Sequence, residues 1–153
     1  MYLSKYQEYG LRSMIYLASR SSTAAPDMLF AARDISEAEN IPQKFLEHVL
    51  LVLKKAGLLG SKLGASGGYF LTRAATEISL GQVIRALDGK LEPIPCAGPG
   101  SPSLCACPDP LTCGLRMVMK DVYISLAGIL DRTTLEDVSR RVNEVRALAI
   151  GQP

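Results

Sequence analysis

Apolar residues return every third or fourth position through the first twenty residues, with Leu3, Tyr6, Gly10, Met14, Leu17 and Ala18 on one side and Ser4 placed to cap them. This spacing predicts a first helix of about four turns, ending in the polar run Ser19 to Thr23. Leu29 and Phe30 then predict a very short strand, and Arg33 to Glu39 a short helix stopped by Asn40, Ile41 and Pro42. From Pro42 the pattern turns strictly fourfold: Ile41, Phe45, Val49 and Leu53 predict one buried stripe, with Gly57 as the C-terminal cap. Gln43, Lys44, Glu47 and Lys54 are left facing outwards. Two such helices joined by a tight turn make a helix-turn-helix, whose second helix typically enters the DNA major groove.

Further on, Leu58 to Ser61 and Tyr69 to Leu71 predict two paired strands around a loop, Lys62 to Gly68, that holds three glycines. This is a wing. Ser79 caps another short helix through Leu87, and Asp88-Gly89 turns the chain into an irregular stretch holding six of the nine prolines, between Pro93 and Pro110. A loop of roughly 20 residues in a compact chain is usually functional or disordered. Helical spacing resumes with Leu115, Val118, Val122, Leu126 and Ile129, while Met119, Tyr123 and Leu130 form a second stripe beside it. One domain covers only one such stripe, so the second predicts a subunit partner. Thr134 with Asp137 starts a final helix to about Arg146. The expected fold is mainly α with a small β-wing. Residues 1–88 form a winged helix-turn-helix domain, 89–114 a cysteine-rich sensor loop, and 115–147 a dimerisation helix and a C-terminal helix.

Composition narrows the function. With 153 residues, 48% of them apolar, the chain can pack a core. No apolar run approaches the roughly 18 residues of a membrane span, and charges interrupt the N-terminus, so a cytoplasmic location is expected. The net charge of +2 is mild, but residues 1–75 carry nine Lys/Arg against six Asp/Glu, and residues 76–153 eight against nine. The positive balance thus sits in the half expected to meet DNA. Catalysis would need a nucleophile or acid/base pair, yet His48 is the single histidine and no H-E-x-x-H pair occurs. An enzyme is not expected; a winged-helix scaffold that does not bind DNA is the competing reading. His48 reads as a solvated or phosphate-near residue. Tyr2, Tyr6, Tyr9, Tyr16, Met117 and Met119 read as packing residues.

All four cysteines, Cys96, Cys105, Cys107 and Cys113, fall within 18 residues. In a reducing cytosol such a cluster points to metal or redox chemistry before structural disulfides. An iron–sulfur cluster, a zinc site, a reversible disulfide and cysteines without function stand as alternatives on spacing alone.

Six blocks carry a family resemblance: M-x-L-S with E-Y-G-L-R-S-M near the start, F-L-E-H-V-L-L-V-L-K-K-A-G-L-L, and G-A-S-G-G-Y-F-L; then I-S-L-G-Q-V-I-R-A-L-D-G, C-G-L-R-M-V-M-K-D-V and T-T-L-E-D-V. In this order, over about residues 1–138, the chain resembles the Rrf-type winged-helix transcriptional regulators that include IscR, NsrR and CymR. The resemblance implies a homodimer on a palindromic operator, with the wing and recognition helix on DNA and the long helix at the dimer interface. It also implies an iron–sulfur cluster, of two-iron or four-iron type, in members with cysteines in this loop. Cys107 and Cys113 keep the family's five-residue gap, whereas eight residues separate Cys96 from Cys105 and ten separate it from Cys107. Cys96, Cys107 and Cys113 are thus the expected ligands, with Cys105 dispensable or an alternative. Where IscR has a histidine ligand stands Arg116, and arginine cannot ligate. Glu8 matches the place of the aspartate by which NsrR ligates the partner's cluster, so Glu8 is the expected fourth ligand; the plainer reading is an exposed helix carboxylate. On the DNA side the resemblance places Pro42, Lys44 and Glu47 on the reading face. Gln43 suits adenine and Glu47 the cytosine amino group. Lys62 suits a phosphate, beside Leu63 where many family wings carry arginine.

Overall fold

The computed structural model describes residues 3–21, 28–89, 91–99 and 107–150. Helix α1 (Lys5–Arg20) begins at Ser4, whose hydroxyl accepts from the Gln7 amide while the Gln7 side chain accepts from the Ser4 N–H, so two otherwise unpaired donors are satisfied. Helix α2 (Ala32–Glu39) stops at Asn40, whose φ of 49° is a left-handed conformation that asparagine tolerates. Helix α3 (Gln43–Lys55) follows Pro42. Its buried stripe is Leu46, Val49, Leu50 and Leu53. Phe45, expected in that stripe, is 38% exposed and turns its ring edge-on to Tyr6 and Tyr9, at 5.8 and 5.3 Å between centroids. A fourfold repeat drifts around a helix of 3.6 residues per turn, so Leu46 takes the core position and Phe45 the rim.

Strands β1 (Leu59–Lys62) and β2 (Gly68–Leu71) pair antiparallel, Leu59 opposite Leu71 and Lys62 opposite Gly68. The strand expected at Leu29-Phe30 shrinks to a single bridge, in which the Phe30 and Tyr69 backbones exchange hydrogen bonds of 2.9 and 2.8 Å. Gly68 permits that approach, since a Cβ there would stand 2.7 Å from the Phe30 backbone.

Helix α4 (Leu80–Leu87) is capped reciprocally by Ser79 and Gln82. Helix α5 (Gly114–Arg132) runs to α6 (Leu135–Ile150), which starts on a Thr134–Asp137 box and continues past the expected end at Arg146. The core is one cluster in which Met14 and Leu17 of α1, the α3 stripe, Ile78, Val83 and Leu135 are fully buried. Three ties join α4 to the α5–α6 corner: Leu80 N–H to the Thr133 carbonyl, Leu135 N–H to the Ile78 carbonyl, and a two-pronged Arg85–Asp131 ion pair at 2.6 and 2.7 Å.

The two stripes of α5 separate except at Leu126, which is expected beside Val122 and Ile129 but lies half-buried with the second stripe. Ala127 is its one buried residue; Met119, Tyr123, Leu126 and Leu130 are half-buried on the domain side. Leu115, Val118, Val122 and Ile129 stay between 43% and 60% exposed. Met117, expected to pack, is 54% exposed. No helix among the described residues is long and apolar enough to cross a membrane.

Candidate functional site

Two groups of residues have chemistry to offer: the first turns of α3 with the wing, and the approach to α5. On α3, Gln43, Lys44 and Glu47 are all exposed, and the Gln43 side-chain amide donates to Glu47 Oε1 at 3.0 Å. One helical turn separates them, so the two side chains meet on the outer face. Lys54 donates to Ser61 Oγ at 2.7 Å, tying the end of α3 to β1. Lys62 is exposed where the wing turn begins, and Leu63 is 99% exposed at its tip. His48 is exposed with its ring 5.6 Å from Tyr6. Tyr6 and Tyr9 pack on Phe45, and Tyr16 on Phe30, as packing residues should; Tyr2 lies outside the described residues. Gly64 to Gly68 spell G-x-S-x-G, but Ser66 sits exposed on a turn between two strands, and that motif serves catalysis at a strand-to-helix elbow.

Behind this face Arg12 joins α1 to α2. Its guanidinium donates to the Glu39 carbonyl at the C-terminus of α2, to the Glu39 carboxylate at 3.2 Å and to Glu8 at 3.5 Å. Glu8 also accepts from Lys5 at 2.7 Å. The Lys5 hydrogen bond, and then the charges of Lys5 and Arg12, hold the Glu8 carboxyl below its ordinary range. Glu8 is therefore an ionised, partly exposed carboxylate on α1, engaged within its own chain.

At the cysteine loop the structure brings two predicted ligands together. Cys107 and Cys113 stand 3.8 Å apart, sulfur to sulfur. Two thiolates about 2.3 Å from one tetrahedral metal would stand about 3.8 Å apart. Cys113 is the residue before α5, and Cys107 is exposed. Cys96, half-buried, reaches the same region through its backbone, since its carbonyl accepts from Arg116 Nε at 3.2 Å. Cys105 lies outside the described residues. Among the described residues no three His, Cys, Asp or Glu side chains converge on one point, and Glu8 is not joined to the cysteines within the chain.

Sequence reasoning treated Arg116 only as a missing ligand. Its second hydrogen bond, to the Pro110 carbonyl at 3.0 Å, makes it a link between two parts of the loop. No local signal in the sequence marks this second role. The Gln43–Glu47 contact was legible in their i,i+4 spacing, although each was read as a separate base contact.

The comparisons agree with this architecture. A profile of the Rrf2 family, described as an iron-dependent transcriptional regulator, matches residues 3–141. The HTH-type transcriptional regulator NsrR of Bacillus licheniformis is 30% identical over 148 residues, 97% of this chain and 99% of its own. Protein rrf2 of Nitratidesulfovibrio vulgaris is 31% identical over 140 residues, 92% of this chain and 88% of its own. Among solved structures, IscR of T. potens superposes with a TM-score of 0.73 at 28% identity, covering 95% of this chain and 90% of that one. CymR, the global cysteine regulator of B. subtilis, gives 0.73 and 28%, covering 92% and 98%. With its helix-turn-helix, its wing and a profile match spanning nearly all of its length, the chain belongs to the Rrf2 family of DNA-binding transcriptional regulators.

Proposed function

We propose that this regulator works in the cytoplasm as a homodimer on a palindromic operator, and that its loop senses iron, redox state or nitric oxide through an iron–sulfur cluster. Cys96, Cys107 and Cys113 hold the cluster with Glu8 of the partner subunit, and Cys105 is dispensable. The observation that carries this is the 3.8 Å separation of Cys107 and Cys113, which suits two ligands of one metal ion. It favours the two-iron type, in which one iron takes two protein thiolates, over a cubane in which each iron takes one.

Glu8 suits its role because the contacts it would leave, to Lys5 and Arg12, are solvent-screened surface pairs that contribute little. A carboxylate is a poorer partner for iron than a thiolate, so the iron it holds is the one most open to loss or attack. The neighbouring Arg12 touches the end of α2 just before the recognition helix, so exchange of Glu8 between Arg12 and the cluster reaches the DNA-reading unit through one side chain.

Anaerobic reconstitution tests the assignment. About two irons and two sulfides per chain are expected, lost in Cys96→Ala, Cys107→Ala and Cys113→Ala and kept in Cys105→Ala. Glu8→Ala should load and then decay faster. One zinc per chain without sulfide, or a Cys107–Cys113 disulfide as the resting form of anaerobic protein, overturns the cluster reading.

A further inference from the structure

Arg116 stands three residues after Cys113, one turn further along the same side of α5. Side chains on a helix lean back towards its N-terminus, so this position overhangs the cysteine that precedes the helix. A histidine placed here can reach a metal. An arginine cannot ligate, but it carries a planar fork of donors long enough to bridge two acceptors. Its Nε donates to the Cys96 carbonyl and its Nη1 to the Pro110 carbonyl, at 3.2 and 3.0 Å, and the side chain is part-buried. These carbonyls lie 20 and 6 residues before it in sequence, one in the segment where the loop begins and the other just before the helix that ends it.

We propose that Arg116 is a positioning residue that closes the cysteine loop, holding the Cys96 backbone against the start of α5, on the side of the Cys107–Cys113 pair, before any metal arrives. The long first gap of this chain gives such a closure something to offset. Bringing the ends of a longer loop together costs entropy, and a site assembled only by its metal would meet that cost out of binding affinity. A guanidinium on two neutral carbonyls meets it in advance and adds no negative charge near the thiolates. Lysine, with a single compact ammonium, reproduces the attraction but not the two-pronged span.

The inference rests on the cysteine loop being a metal site, but its central test does not require the cluster. In the full-length chain carrying Cys105→Ser and Cys107→Ser, only Cys96 and Cys113 remain, and their disulfide equilibrium in a glutathione buffer reports their effective concentration. Arg116→Ala should lower that value roughly tenfold, the loss of two net hydrogen bonds, with Arg116→Lys between the two. Helix content and dimerisation, read on the same samples, should stay unchanged. Equal effective concentrations with Arg116 and Arg116→Ala overturn the proposal. In the chain with all four cysteines, the reconstituted cluster should decay in chelator several-fold faster in Arg116→Ala than with Arg116. A chain that takes up no iron and sulfide yet shows the tenfold drop loses the cluster reading and keeps Arg116 as the closure.

Discussion

Glu47 does not stand alone on the exposed face of α3. The Gln43 amide donates to its carboxylate, so Gln43 restricts the Glu47 rotamer. A base-facing carboxylate discriminates by accepting from a cytosine amino group, whereas a mobile lysine near phosphates adds affinity blind to sequence. Glu47→Ala should therefore relax base preference by about 1 to 3 kcal/mol at one position of each half-site. Selection of sites from a random pool reads this directly, and an unchanged preference rules the contact out. Gln43→Ala should relax the same position more mildly, and the double variant should fall short of the sum of the two. Lys44→Ala should weaken all sequences alike and lower the salt dependence by about one ion, as measured by titration across salt concentrations.

At the scale of elements, the contact between α4 and α5 carries a pH dependence. Asp131 is held below the ordinary carboxylate range, mainly by its hydrogen bonds from Arg85, and Arg85 is raised in return. The unfolded chain binds the proton more readily, so the stability this pair contributes is present above the ordinary value of about 3.9 and is lost as pH falls through the lowered one. Both side chains are about two-fifths exposed, at 41% and 42%, which limits the pair to under about 1 kcal/mol. Asp131→Asn should cost that much at neutral pH and flatten the acid limb of a urea-denaturation series. Gly81 lies beneath the pair, and a Cβ there would stand 2.0 Å from Asp131 Oδ1, so Gly81→Ala should separate the pair as well. Much of this layer was legible in the chain: Ser4, Ser79 and Thr134 announce helix starts through local hydrogen bonds, and the wing glycines announce their turn. Contacts between distant segments were not. Nothing local marks Phe30 for a single bridge to Tyr69, or Arg116 for the carbonyl of Cys96, because both depend on how the chain returns on itself. The end of α6 was missed for a different reason: Ala147, Leu148 and Ala149 favour helix, and no breaker stands between Arg146 and Ile150.

For the whole molecule, the exposed side of α5 is the surface on which the proposed pairing of subunits turns. Leu115, Val118, Val122 and Ile129 form an apolar stripe, broken by Ser125, along a helix whose other side already rests on α4, and an uncovered stripe of this length on a regulator fits a second copy of itself. The cysteine loop leads into the start of the same helix, so the stripe and the sulfurs share one region. A charge at the centre of the stripe should separate the subunits without unfolding them. Val122→Glu is expected to sediment as a monomer with unchanged helix content, to bind its operator weakly because the two half-sites are no longer linked, and to load a cluster that decays faster because the partner's Glu8 is missing. Leu126→Glu tests the opposite side. Leu126 is half-buried towards the domain, so a charge there should lower thermal stability before it dissociates the dimer. If Val122→Glu remains a dimer in sedimentation while Leu126→Glu dissociates as a folded monomer, the subunits pair through another surface, and ligation by the partner's Glu8 falls with it.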